Sequence, residues 1–115
     1  MIELSAMIFD YPITVTATPA GLDWNVTVLG GCAPHIGSVS LGEYQNGTVT
    51  LRTLTRETHK DQIVGDRFAR ALAGHTKSTV CVSCGIHYDN DAPQQLEQII
   101  ACTEDLLMQL FAKIR

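Results

Sequence analysis

The sequence predicts an α+β domain: an antiparallel β-meander of about five to six strands with two helices packed on it. Three observations carry that expectation. Residues 12–56 alternate apolar and polar with a period of two, the mark of strands with one face buried. "QNG" at residues 45–47 divides that region with the strongest short hairpin signal, because Asn-Gly suits the positive φ angles of a tight turn. Beyond residue 56 the period shifts to that of a helix, returns to a strand, and shifts again. Strands followed by helix, strand and helix give an α+β order.

The elements follow in turn. Residues 2–9 read as a first strand. In "ITVTATP", Ile13, Val15 and Ala17 share one side and Thr14, Thr16 and Thr18 the other. "PAGLD" is a turn, and "WNVTVL" returns with Trp24, Val26 and Val28 on one side. "HIGSVSLGEY" and "TVTLRTLTR" form the second hairpin, so residues 12–56 are expected as a four-strand antiparallel meander. In "THKDQIVGDRFARALAGH", Ile63, Val64, Phe68, Ala71 and Leu72 fall on one helical face. Thr58 with Asp61 three residues later resembles a capping box, and Gly74 is the expected stop. Gly65 costs a helix about 1 kcal/mol against Ala, which close packing on the sheet would explain. "STVCVSCGIHYDN" is a further strand. Val80, Val82, Cys84, Ile86 and Tyr88 lie on one face, and Cys81, Ser83, Gly85 and His87 on the other. In "DAPQQLEQIIACTEDLLMQLFAKIR", Pro93 suits a first turn. Leu96, Ile99, Ile100, Thr103, Leu106, Leu107, Leu110, Phe111 and Ile114 then make an apolar stripe, to be buried on the sheet or on a second subunit.

A chain of 115 residues with no break in composition is expected to be one domain over residues 1–115. Its apolar share is 45%, its charged share only 17%, which suggests that a partner copy covers part of the surface. The net charge of −4, without a basic patch, argues against nucleic acid. The acidic start "MIELSAMIFDY" does not read as a signal peptide, and no apolar run reaches the roughly 18 residues of a membrane span. A cytoplasmic protein with reduced thiols is therefore expected. Cys81 and Cys84 form a C-x-x-C, but residues three apart on a strand face opposite ways. They read as packing residues rather than as a zinc or redox pair, and Cys102 reads as core.

Three polar clusters sit at junctions between elements. "GGCAPHIG" (30–37) frees the backbone at Gly30 and Gly31, fixes it at Pro34 and presents His35. His59 and Lys60 lie in the first turn of a helix, where a cation opposes the dipole unless an anion such as phosphate sits between them. His87, Asp89 and Asn90 end the inner strand. His35, His59 and His87 with Asp61 or Asp89 could hold zinc or iron. No close pair pre-forms such a site, so a metal is not expected. No nucleophile sits in an activating frame, so no catalytic residue is expected either.

The three pieces in this order, "GGCAPHIGSVSLG", "THKD" before a helix and "GIHYDN" before a last helix, resemble the LpdD-like family from about Ile13 to the C-terminus. These are the small D subunits that accompany UbiD-type hydroxyarylic acid decarboxylases. The resemblance implies a proteasome-assembly-chaperone-like fold. It also implies a non-catalytic protein that binds prenylated FMN and supports its maturation or delivery to the decarboxylase. Carried over residue by residue, the cofactor-binding set is Gly30, Gly31, His35, Gly37, His59, Lys60, Asp61, Gly85, His87, Asp89 and Asn90, with Pro34 and Ile86 in the same motifs. The departure is cysteine content: Cys32 in the loop and Cys81 and Cys84 in the strand. A homodimer is the expected state. The alternatives are an assembly factor without a small molecule, or a histidine-based metal protein.

Overall fold

The computed structural model describes residues 1–56, 60–89 and 93–115. In chain order the elements are β1 (Ile2–Ile8), β2 (Tyr11–Ala20), β3 (Asp23–Gly31), β4 (Ser38–Gln45), β5 (Thr48–Thr55), α1 (Lys60–Thr76), β6 (Thr79–His87) and α2 (Pro93–Phe111). The α+β class and the two-helix complement match the expectation. The strands form a mixed, mostly antiparallel sheet in the order β1-β2-β3-β6-β4-β5.

Local sequence sets the hairpins. Asn46 and Gly47 both have positive φ (53° and 80°) between the paired Gln45 and Thr48, as Asn-Gly predicts. Phe9 (49°) and Asp10 (68°) repeat that geometry between Ile8 and Tyr11 without a glycine. Between β3 and β4 the expected meander fails. β6 inserts there, parallel to β3 and antiparallel to β4. A period of two tells which face a residue takes but not which strand lies next to it. Residues 32–37 therefore bridge two strand spacings, roughly 10 Å, across the C-terminal end of β6.

Both helices cover one face of the sheet. Ile13, Val15, Ala17, Val26, Val28, Val80, Val82 and Cys84 point into that layer at 0% exposure. They meet Val64, Phe68 and Leu72 of α1 and Leu106, Leu107 and Leu110 of α2. The C-terminal stripe is thus buried on the sheet and on α1, while Ile63, expected on the inner face of α1, is 51% exposed. α1 lies very close to the sheet. A Cβ on Gly65 would stand 3.0 Å from Ser38 Oγ, and one on Gly42 would stand 2.5 Å from Ala69 O. The helix does not stop at Gly74. Lys77 turns left-handed (φ 52°) and the Ser78 N–H donates to Ala73 O at 3.2 Å, a Schellman closure. Arg67 of α1 grips Glu104 of α2 with two nitrogens, and Trp24 Nε1 donates to Arg115 O at 3.0 Å.

The other face has no helix among the described residues. Register places Leu54, Val39, Ser83 and Thr27 in one row, and Arg52, Leu41, Cys81 and Asn25 in the next. Cys81 and Cys84 do lie on opposite faces of β6, as the alternation requires.

Candidate functional site where the crossover loop meets α1 and β6

The crossover at residues 32–37 is held on the end of β6 by backbone bonds. The Cys32 N–H donates to His87 O and the Gly37 N–H to Cys84 O, both at 2.9 Å. Glycines allow the close approach. A Cβ on Gly85 would stand 1.6 Å from His35 O, and one on Gly37 would stand 1.8 Å from Asp61 Oδ2. Gly31 has φ +87° and faces His87 O, where a Cβ would stand 1.8 Å away; Gly30 lies against Ile13 on β2. These glycines admit other parts of the protein itself, so the space they leave is already filled by chain.

Asp61, in the first turn of α1, joins the three segments. Its carboxylate is 2% exposed, accepts the Ile86 N–H at Oδ1 (2.9 Å) and meets His35 Nε2 at Oδ2 (3.0 Å). Ile86 lies past the last β4 pairing on β6, so its N–H takes this side-chain acceptor instead. His35 Nδ1 donates to Ala33 O at 3.0 Å, since a carbonyl can only accept. Both ring nitrogens of His35 thus have an oxygen partner, one on the loop itself and one on α1. An acid at a helix N-terminus is also favoured by the dipole.

His87 and Asp89 follow at the strand end, with Nε2 to Oδ1 at 3.2 Å. Cys32 Sγ lies 3.5 Å from His87 O. Next in the chain, Tyr88 turns inward. Its hydroxyl donates to Tyr11 O at 3.0 Å, and its ring packs edge-on against Phe9 and Tyr11. Burial first, then the thiols of Cys102 and Cys32, pushes its pKa up to about 12. Burial, reinforced by the Asp61 charge, pushes the Cys84 thiol far above the usual range, so Cys84 is a packing thiol rather than a nucleophile. Burial also raises Cys102.

A cavity of about 150 Å³ opens beside the loop, lined by Ile36, Gly37, Ser38, Val39, Leu54, Thr55 and Arg56. Pockets that enclose ligands of flavin size usually hold roughly 300–1,000 Å³. This one is therefore a shelf that takes part of such a molecule. Arg56, exposed at the end of β5, donates from Nη1 to Ile36 O at 3.2 Å and adds a cation at this end of the sheet.

The structure thus brings together Gly31, His35, Gly37, Asp61, Gly85, His87 and Asp89 from the expected set. Gly30 faces β2, and Lys60 opens α1. His59 and Asn90, with the Thr58 cap, lie outside the described residues. Sequence reasoning missed Arg56 and the Ile36–Leu54 shelf, although an arginine three residues before the H-K-D motif was a legible signal. It also missed the approach of Cys32 to His87, which depends on the unanticipated β3–β6 pairing.

Residues 8–115 match the prenylated flavin chaperone LpdD-like domain. The chain belongs to this family. Protein LpdD of Lactiplantibacillus plantarum is 26% identical over 94 residues, covering 80% of this chain and 69% of that protein. The match spans every element from the first hairpin turn to the C-terminus and includes the whole loop–Asp61–β6 junction. Among the described residues no helix is long and apolar enough to cross a membrane.

Proposed function

We propose that this protein binds prenylated FMN where the crossover loop, the start of α1 and the end of β6 meet, and supports its maturation or delivery to a UbiD-type decarboxylase without catalysing a reaction. One observation carries the reading: Asp61 ties His35 and Ile86 together, so three segments far apart in sequence form one surface at a helix N-terminus. The residues suit the group in kind. The first-turn N–H groups of α1, with Lys60 at its start and Arg56 four residues before it, suit the phosphate. Ile36, Val39 and Leu54 offer an apolar shelf for a ring. His35, His87 and the loop amides supply polar contacts at its edge. When bound, the flavin supplies the redox-active ring; the chain's own part is to hold the phosphate and shield the ring from water.

The shelf alone is too small to enclose the cofactor, which fits a working form of two copies in the cytoplasm. The helix-free sheet face, with Leu54 at 77% exposure beside Val39 and Leu41, is the surface offered to the second copy. Anaerobic native mass spectrometry with reduced prenylated FMN tests the proposal. One cofactor per chain on a dimer is expected, with binding weakened at least about tenfold by Lys60→Ala and by His35→Ala. A protein that takes up no cofactor, or whose two variants take it up as tightly as the parent, refutes this reading and leaves a partner-protein assembly role.

A further inference from the structure

We propose that Cys32, His87 and Asp89 form a binding site for one borderline divalent metal ion, with zinc the best match. The site needs no flavin, although it shares His87 with the reading above. The Cys32 sulfur, an imidazole nitrogen of His87 and a carboxylate oxygen of Asp89 all lie within 4.8 Å of one another. The nitrogen and oxygen are already 3.2 Å apart. Bonds of about 2.0–2.3 Å to a tetrahedral zinc place neighbouring donors roughly 3.3–3.8 Å apart, so only a small closure is needed. This is a different set from the three histidines that the sequence suggested. Cys32 supplies its softest donor.

The backbone organises the three donors. Gly31 pairs with His87 in the parallel register, and its left-handed φ turns the chain so that the Cys32 N–H meets His87 O at 2.9 Å. Asp89 is steadied from the other side, where Gln95 Nε2 donates to its carbonyl at 3.2 Å. The site is open: the His87 side chain is 48% exposed and that of Asp89 is 89% exposed. A metal can therefore enter directly, and a fourth position stays free for water or an incoming donor. A thiolate, an imidazole and a carboxylate together suit zinc better than magnesium or calcium, which select oxygen alone. Binding forms the sulfur–metal bond as the Cys32 thiol releases its proton to solvent. The bland reading is a surface His–Asp pair with a thiol close by.

Cobalt(II) separates the two. The full chain, untagged, reduced and stripped of metal, is titrated anaerobically with Co²⁺ and then with Zn²⁺. The site predicts a thiolate-to-cobalt charge-transfer band that saturates at one equivalent and disappears when zinc is added. Cys32→Ser abolishes the band, and His87→Gln and Asp89→Asn each weaken binding by at least about tenfold. Cys81→Ser, on the open sheet face, leaves it unchanged. Alkylation read by mass spectrometry gives an independent check, with zinc shielding Cys32 and not Cys81. Absence of the band in the parent protein, a band that survives Cys32→Ser, or no shielding of Cys32 overturns the proposal.

Discussion

Replacing Asp61 by alanine removes the one group shared by the loop, α1 and β6. Two losses follow from the structure. The Ile86 N–H loses its acceptor at a part-buried site, and the His35 ring loses a charge-assisted bond to a carboxylate that is 2% exposed. An orphaned donor costs about 1–3 kcal/mol and a lost charged bond about 1.5–3 kcal/mol. His35 is one-third exposed, so water recovers part of the second loss. The sum is about 2–5 kcal/mol. For 115 residues the unfolding entropy makes each kcal/mol worth about 4 °C, so the midpoint should fall by about 8–20 °C. Asp61→Asn is the informative partner. Its oxygen still accepts from Ile86, and its amide donates to a neutral His35 ring that keeps Nδ1–H on Ala33 O. A loss of about 1 kcal/mol is expected there. Thermal and urea unfolding at one protein concentration compare the three proteins. If Asp61→Ala loses less than about 1 kcal/mol, or the Asn and Ala variants fall equally, the carboxylate is not the tie described here.

Three further outcomes follow. Gly85→Ala drives a methyl group into His35 O and should cost several kcal/mol in urea unfolding; Gly21→Ala, at φ 64° but in open space, should cost only about 1–2 kcal/mol for its backbone. Tyr88 holds its proton more tightly folded than unfolded. Its contribution is therefore complete below about pH 10 and is lost as pH rises towards about 12, a fall of at most about 2–3 kcal/mol that Tyr88→Phe should not show. The Arg67–Glu104 clasp is about half exposed, so a double-mutant cycle should give only about 0.5 kcal/mol, fading in high salt. Its Arg67 bond holds Glu104 below the usual carboxylate range, so what it adds is present above that range and vanishes as pH falls through the lowered value.

Much of the fold was legible because faces are a local property. The alternation in "ITVTATP" and "STVCVSC" separated buried from open positions and placed Cys81 and Cys84 on opposite sides, while the helical period marked the α2 stripe for burial on the sheet or on a second subunit. Strand neighbours are not local, and the insertion of β6 was missed for that reason. The clue lay in the loop: residues 32–37 make too long a link for a tight hairpin, and Gly85 is small because that link crosses it. Gly74 misled because a left-handed cap can be a lysine when the next amide closes the turn. At the site, the meeting of the three motifs was expected, but the glycines' role was not. The resemblance placed them in the cofactor-binding set, and the space beside Gly31, Gly37 and Gly85 is taken by His87 O, Asp61 and His35 O.

Amide hydrogen exchange of the whole chain, with and without reduced prenylated FMN under anaerobic conditions, tests the binding surface most directly. Added protection in residues 32–37, at the start of α1 and in residues 84–89, with the β1–β2 hairpin unchanged, is the predicted result. Protection confined to other regions, or none at saturating cofactor, would contradict it.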